Sequence, residues 1–106
     1  MDLSELTDDG KALLINPFEV EKGRDQEFLE FWNRAAALLK QKDGYVATYL
    51  QRAVAPGALF RYVNIAVWDS PEAFQNAVSD PEFQALVGLY RDVFPHFPGI
   101  YRTVDA

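Results

Sequence analysis

The stretch from Phe60 to Phe74, FRYVNIAVWDSPEAF, constrains the fold more than any other part of the sequence. Its first half is rich in aromatic and β-branched residues, and we predict a β-strand over residues 59–68. Its second half carries a helix start signal: Ser70 suits the N-cap and Pro71 suits the first helical position. The stretch therefore predicts a strand that runs almost directly into a helix.

The rest of the chain divides into segments of strand-like and helix-like period. Ala55 to Ala58 is a turn that joins two strand-like runs as a hairpin. Asp80-Pro81-Glu82 repeats the earlier start signal, so the helical segment after the hairpin is broken in two. Pro17 has no amide hydrogen, which indicates a bulge or a sheet edge at that point of the first strand. The other predicted elements are strands over residues 11–20, 45–54 and 100–104 and a helix over residues 24–42.

This order of elements is that of an α+β, ferredoxin-like βαββαβ domain with a four-stranded antiparallel sheet and its helices on one face. The opposite face of the sheet would carry Val63, Ile65 and Val67, and it is too apolar to face water. We therefore predict a homodimer in which two copies cover each other through this sheet face.

Length and net charge limit the classes of molecule that the chain is expected to bind. A chain of 106 residues with 49% hydrophobic residues is one domain, here residues 1–106, with residues 1–10 as an acidic N-terminal leader. The net charge of −6 argues against binding to nucleic acid or to an anionic membrane. The sequence contains neither a signal peptide nor a membrane-length apolar run, which predicts a cytoplasmic protein.

Few residues are suited to catalysis by metals or nucleophiles. The sequence has no cysteine and one histidine, and it has no glycine-rich phosphate loop and no GxSxG motif. We therefore predict no metal site and no cofactor. His96 lies in a proline-rich turn, and we interpret it as a turn residue in preference to a catalytic base or a haem ligand.

Two asparagines and a tryptophan are the remaining candidates. Asn64 and Trp68 have the same parity on the third strand, and Asn16 shares a strand face with Leu14 and Phe18. An amide among apolar neighbours is costly unless it is hydrogen-bonded, either to local backbone or to a ligand. With aromatic residues around them, these amides predict a pocket between sheet and helices for a flat phenolic or quinone-like molecule. The surrounding aromatics in this prediction are Tyr45, Tyr49, Tyr62 and Trp32.

From Ala12 to Val104 the sequence resembles the antibiotic biosynthesis monooxygenase family of dimeric α/β-barrel proteins. The segments that carry the resemblance are INPFEVEKGRDQEFLEFW, DGYVATYLQR and FRYVNIAVWDSPEAFQNAVSDPEFQAL. The resemblance implies a dimeric α/β barrel. In the anthrone-oxidising branch it also implies catalysis without metal, flavin or haem.

The resemblance also implies roles for particular residues. That branch uses an Asn and a Trp at the positions of Asn64 and Trp68, and some members use a second Asn at the position of Asn16. A Tyr of that branch falls at Phe74, which has no hydroxyl. In the haem-degrading branch, the Trp and the iron-binding His fall at Ala77 and Val87, so haem degradation by that route is not expected.

The sequence therefore supports one main hypothesis and two alternatives. The main hypothesis is a cofactor-independent monooxygenase that oxidises a small aromatic, quinol or polyketide-like substrate with O₂. The alternatives are a non-oxygenase enzyme on the same fold, such as a cyclase or isomerase, and a non-catalytic ligand-binding dimer. The predicted catalytic residues are Asn64, Trp68 and Asn16, and the predicted substrate-binding residues are Tyr62, Phe74, Trp32 and Tyr90.

Overall fold

The computed structural model describes residues 10–104. Four strands form one antiparallel sheet in the order β2-β3-β1-β4, and three helices complete the domain. The predicted ferredoxin-like α+β fold is confirmed, whereas most of the acidic leader predicted at residues 1–10 lies outside the described residues. The elements are β1 (Ala12–Phe18), α1 (Asp25–Leu39), β2 (Tyr45–Arg52), β3 (Tyr62–Trp68), α2 (Pro71–Val78), α3 (Pro81–Tyr90) and β4 (Gly99–Tyr101).

The two predicted helix starts are confirmed by their capping bonds. The Ser70 side chain accepts a hydrogen bond of 3.1 Å from the amide of Ala73, and the Asp80 carboxylate accepts one of 3.0 Å from the amide of Phe83. Asp80 also accepts a hydrogen bond of 2.8 Å from Lys42. The N-cap of α3 is thereby tied to the turn that follows α1.

Gly44 ends that turn at a point where only glycine fits. Its φ angle is +87°, and a Cβ atom added there would overlap the Cβ of Ala73 in α2. The Gly44 carbonyl accepts a hydrogen bond of 2.7 Å from the amide of Asp69. The close approach of this turn to α2 therefore sets the distance between β2 and the helical layer.

The hairpin between β2 and β3 is longer than the sequence indicates. β3 begins at Tyr62 and not at the predicted Leu59, which is 83% exposed. The last backbone bond of the hairpin joins the Ala53 amide to the Arg61 carbonyl at 2.8 Å, so Leu59 lies in the connection. In the sequence, a leucine at the end of an apolar run has the pattern of a further strand residue, even where the folded chain has no partner strand beside it.

Pro17 lies in β1, a central strand of the sheet, but outside the part of β1 that pairs with β4. β1 pairs with β3 along its whole length without a bulge, whereas β4 pairs only with Leu13 to Ile15. The Pro17 carbonyl accepts a bond of 3.1 Å from the Phe97 amide, so its ring nitrogen lies on the same, β4-facing side. The missing amide hydrogen therefore costs no bond in the ladder between β1 and β3.

A register shift between Tyr45 and Ala47 separates two residues that parity would place together. Tyr45 packs edge-to-face on Trp68, on the side of the helices, at a centroid distance of 5.6 Å. Tyr49 is paired with Ile65 on the opposite face of the sheet. The prediction that both tyrosines surround the pocket is therefore wrong for Tyr49, because the bulge changes the alternation of β2.

The core between sheet and helices consists of two clusters. The first surrounds Phe28 and includes Phe18, Phe31, Tyr62 and Phe94. The second surrounds Trp68 and is formed by Ala12, Leu14, Ala66, Phe74 and Ala77. Residues of both clusters line one cavity.

Candidate functional site

A cavity of about 340 Å³ lies between the inner face of the sheet, which faces the helices, and the three helices. Its walls include side chains from both core clusters and are mainly apolar. This volume is within the range of pockets that bind small organic molecules. The main apolar side chains of the wall are Leu14, Phe31, Trp32, Trp68, Phe74 and Val87.

Asn16 and Asn64 lie directly opposite each other in the antiparallel pair of β1 and β3. Residues in this relation project from the same face with their Cβ atoms about 4.5–5.5 Å apart. Both side chains line the cavity. The predicted grouping of these two asparagines on the helix-facing side is thus present in the structure.

The amide of Asn64 is oriented by Thr48 of β2. The Thr48 hydroxyl donates a hydrogen bond of 2.8 Å to Oδ1 of Asn64. With the carbonyl oxygen engaged, the Nδ2 amino group is the part of the side chain that can donate to a molecule in the cavity. Asn64 therefore presents a hydrogen-bond donor to the cavity.

Asn16 differs from Asn64 in the state of its carbonyl oxygen. Its Oδ1 atom is buried and has no hydrogen-bond partner among the described residues. A buried carbonyl without a donor costs about 1–3 kcal/mol. The interpretation that Asn16 is hydrogen-bonded to nearby backbone does not hold for Oδ1. This oxygen needs a hydrogen-bond donor from a ligand or a water molecule.

Trp68 forms the back of the cavity. It is 1% exposed and is held edge-to-face between Tyr45 and Phe74, at centroid distances of 5.6 and 5.9 Å. Such contacts fix the ring plane, so Trp68 is a rigid wall against which a flat molecule can pack. Phe74 and Trp32, two of the residues predicted to bind substrate, also line the cavity.

Tyr62 lies outside the cavity lining, although it shares a face with Asn64. It is 1% exposed, and its hydroxyl donates a hydrogen bond of 2.7 Å to Asp25 and accepts one of 3.1 Å from Arg52. Tyr62 therefore links β3 to the first turn of α1. Its placement does not support the predicted contact with a substrate.

Tyr90 is likewise absent from the lining. Its ring packs on Phe31 at a centroid distance of 4.6 Å and on Phe94 at 5.8 Å. A pattern of aromatic residues identifies the face of the helix that packs inward. It does not distinguish a position in the closed part of the core from one at the cavity.

Several polar residues of the lining were not among the sequence-based candidates: Thr48, Gln75, Gln84, Arg91 and His96. His96 is the most informative of them. It forms an antiparallel bridge with Phe18, and the two rings are 5.6 Å apart. The sequence signal was only a histidine between prolines; the bridge that turns it toward the cavity is a tertiary contact.

Arg91 is the only charged side chain among the described residues that line the cavity, apart from the titratable His96. No described carboxylate belongs to the lining. Burial lowers the pKa of His96, the positive charge of Arg91 lowers it further, and the Phe94 backbone carbonyl offsets part of this effect. Burial raises the pKa of the Tyr45 hydroxyl, which stays neutral. The described lining is therefore mainly apolar, with one cationic side chain and no carboxylate, which suits a neutral or anionic aromatic molecule.

Metal binding finds little support in the described residues. Within residues 10–104, no three His, Asp or Glu side chains are grouped as a metal would require. Val87, at the position where the haem-degrading branch places its iron ligand, is a buried apolar residue of the cavity wall. The lining therefore does not fit that mode of haem binding.

Comparison with known families decides the classification. The model of the family described as antibiotic biosynthesis monooxygenase matches residues 12–89. The chain belongs to this family. The match covers the sheet strands β1 to β3 and nearly all of the helical layer, so it includes Asn16, Asn64 and Trp68.

Solved structures give the same result. SnoaB, a cofactor-independent oxygenase from Streptomyces nogalater, is 28% identical with a TM-score of 0.77 over 92% of this chain and 96% of its own. A protein from Shewanella loihica PV-4 with a provisional monooxygenase assignment is 26% identical, with a TM-score of 0.76 over 92% of this chain and 97% of its own. A ferredoxin-like protein from Mesorhizobium loti is 14% identical, with a TM-score of 0.72 over 91% of this chain and 99% of its own, and shows the fold alone. No curated protein sequence matches the chain. No helix in the described part of the chain is long and apolar enough to cross a membrane.

Proposed function

We propose that this member of the antibiotic biosynthesis monooxygenase family is a cofactor-independent monooxygenase. Its substrate would be a small, flat, hydroxylated aromatic, such as a quinol or a polyketide-like phenol, and its oxidant would be O₂. The observation that carries the proposal is the pair Asn16–Asn64: two amides lie side by side at an apolar cavity, one oriented by Thr48 and the other with a buried carbonyl that lacks a partner among the described residues.

Hydrogen-bond polarity supports a phenolic substrate. A ring that carries an ionised oxygen beside a hydroxyl would accept from Nδ2 of Asn64 and donate to Oδ1 of Asn16. The buried carbonyl of Asn16 would then gain the donor that it lacks among the described residues. An oriented donor next to a developing negative charge stabilises the anion without reorganisation, which is the principle of an oxyanion hole.

Electrostatics support an anionic intermediate. An electron-rich phenol or enol that has lost a proton can transfer electrons to O₂ directly. Since no described carboxylate lines the cavity and Arg91 does, the anion meets no like charge and one opposite charge. The apolar walls, including the fixed ring of Trp68, exclude water and therefore strengthen these interactions.

We further propose that the protein acts as a homodimer through the outer face of the sheet, the face opposite the helices. Val63 and Ile65 lie on this face and remain partly accessible in one chain, and Tyr49 beside them is 40% exposed. A second copy would cover these side chains, whereas Val67 of the same face is already buried within one chain. The similarity to SnoaB supports an oxygenase but does not fix the substrate.

The proposed function is tested by oxygen consumption with a panel of anthrones and hydroquinones. The wild-type protein should consume O₂ and form the quinone, and Asn64→Ala should lower the rate by about 100-fold, as for loss of an oxyanion donor. Asn33→Ala, a change at an exposed asparagine of α1, is the matched control and should keep the wild-type rate. Binding of these phenols without O₂ uptake would contradict an oxygenase and favour a cyclase, an isomerase or a binding protein.

A further inference from the structure

His96 reaches the cavity because the chain after α3 returns to the edge of β1. The Glu19 amide donates to the Pro95 carbonyl at 2.9 Å, and the Phe97 amide donates to the Pro17 carbonyl at 3.1 Å. Between these two bonds, His96 is paired with Phe18 across the bridge. Residues paired in this way project from the same face, so the imidazole lies on the inner face and lines the cavity.

The bridge also places His96 close to the asparagine pair. Asn16 precedes Phe18 by two positions and therefore projects from the same face of β1. Diagonal neighbours of this kind are about 7–8 Å apart, a distance that one small aromatic molecule can span. The inner face thus carries two amides and an imidazole around one cavity.

His96 is the one group of the described lining that can exchange a proton near neutral pH. The other ionisable side chains of the lining are the guanidinium of Arg91 and the phenol of Tyr45, whose pKa is raised by burial. Of these two, Arg91 at the end of α3 acts on the charge of His96, whereas Tyr45 of β2 lies at the other end of the inner face, beside Trp68. The cavity wall contributed by α1, including Phe31 and Trp32, and by β1 carries no titratable side chain.

Its surroundings favour the neutral, basic form of the ring. Burial is the largest effect and lowers the pKa of His96, and Arg91 lowers it as well. The Phe94 carbonyl interacts with the ring and partly opposes this effect. If one ring nitrogen is occupied by that carbonyl, the other is left as an acceptor.

We propose that His96 is the general base that deprotonates the substrate in this cavity. This inference rests on the proposed function, because it assigns the proton-transfer step that the oxidation requires. An imidazole within hydrogen-bond reach of an acidic C–H or O–H group, with its conjugate anion held by Asn64, is the arrangement that general-base catalysis needs.

The step balances with O₂ as the named oxidant. His96 takes a proton from the activated CH₂ group of an anthrone, and the electron pair of the broken C–H bond remains on the substrate as an enolate. The enolate reduces O₂ and a C–O bond forms, giving a peroxide anion to which the imidazolium returns the proton. The O–O bond of the hydroperoxide then breaks. Its terminal OH group leaves with the second C–H proton as water, and the inner oxygen remains as the C=O group.

Proton transfer can be measured separately from oxidation. Under anaerobic conditions in D₂O, the wild-type protein should accelerate exchange of the CH₂ protons of anthrone, followed by NMR. The wild-type rate should rise with pH as His96 loses its proton and should level off by neutral pH. His96→Gln should lower the exchange rate by about 100-fold, within the range of general acid–base catalysis, and should lose this limb of the pH profile.

Two further measurements exclude a purely structural effect. Anthrone binding, followed by quenching of tryptophan fluorescence, should change less than threefold in His96→Gln and in the control Asn33→Ala. In His96→Ala, added imidazole should restore part of the exchange rate. A variant that only loses its fold would lose binding too and would not respond to imidazole.

The outcomes separate this inference from the proposed function. If the wild type accelerates proton exchange and His96→Gln does not, the role of His96 as the general base is supported. This holds even if no O₂ is consumed, in which case the oxygenase proposal fails. Exchange at the wild-type rate in His96→Gln overturns the base, whereas O₂ uptake by the same protein would still support an oxygenase. The role of His96 as the general base is also overturned if the wild type binds anthrone but its CH₂ protons exchange no faster than in buffer.

Discussion

Asn16 and Asn64 are directly opposed on neighbouring antiparallel strands, and their side chains enter one cavity from the same face of the sheet. The two amides differ in state: Oδ1 of Asn64 accepts from Thr48, whereas Oδ1 of Asn16 is buried without a partner among the described residues. This difference gives the two amides different roles in the proposed binding of a ligand. It also leads to separate predictions for each residue.

Thr48→Val tests the orientation of the Asn64 amide. The substitution keeps the shape of the side chain and removes the hydroxyl that donates to Oδ1 at 2.8 Å. The Asn64 amide then loses one hydrogen bond with a net value of about 1 kcal/mol. It also loses the contact that favours the orientation with Nδ2 toward the cavity. We expect kcat for O₂ consumption to fall roughly five- to tenfold, since about 1.4 kcal/mol corresponds to a tenfold change in rate. Thr103→Val, at an exposed threonine near the C-terminus, should have no effect; equal rates in both variants would contradict the role of Thr48.

Asn16→Leu tests the unpartnered carbonyl. Leucine has a similar size and removes a buried acceptor that costs about 1–3 kcal/mol when it is unsatisfied. We expect the ligand-free protein to gain about 1 kcal/mol in free energy of unfolding, measured by urea denaturation, while affinity for a phenol falls. The opposite result, a less stable protein with unchanged affinity, would show that Asn16 is satisfied in the free protein and does not contact the ligand.

Ile65→Asp tests the proposed dimer. The side chain is partly buried on the outer sheet face, opposite Ile15 and Tyr49 on its neighbouring strands. A carboxylate there would have to be buried between two copies, so we expect monomers at micromolar concentration by sedimentation velocity. Leu59→Asp, which changes an exposed leucine of the hairpin connection, is the control and should remain dimeric. A monomeric wild-type protein would refute the dimer directly.

Tyr62→Phe tests the link between β3 and α1 through its pH dependence. The hydrogen bond from Tyr62, followed by the one from Arg61, lowers the pKa of Asp25 below its ordinary value of 3.8. A carboxyl group whose pKa is lower in the folded state stabilises the protein above the unfolded-state pKa, and this stability is lost as pH falls through the folded-state pKa. In Tyr62→Phe the pKa of Asp25 should move back toward its ordinary value, so the loss of stability below about pH 4 should be smaller than in the wild type. Urea midpoints between pH 2.5 and pH 7 measure the difference; parallel curves for the two proteins would contradict the link.

Local sequence patterns predicted the secondary structure well because they depend on contacts within a few residues. The caps at Ser70 and Asp80 form the bonds that their positions predict. The shared parity of Asn64 and Trp68 on β3 places both at the cavity, as alternation along a strand requires. Strand ends were less accurate, as at Leu59, because a strand ends where its partner ends and not where its apolar run ends.

The site depended on tertiary structure at two points. The bulge after Tyr45 places that residue at the cavity and Tyr49 on the outer face, so simple alternation along β2 was misleading. Tyr62 has the correct parity, but its hydroxyl is engaged by Asp25 and the ring is enclosed in the first core cluster.

By itself, the sequence determined the elements, the ferredoxin-like fold and the side of the sheet on which Asn64 and Trp68 lie. Only the tertiary structure decided that Asn16 opposes Asn64, that Thr48 orients the amide, and that His96 lines the same cavity. The reason is physical: caps and periodicity arise from neighbours in the chain, whereas strand register and the bridge from Phe18 to His96 arise from packing between segments that are distant in sequence. The chemistry proposed for this protein depends on those long-range contacts.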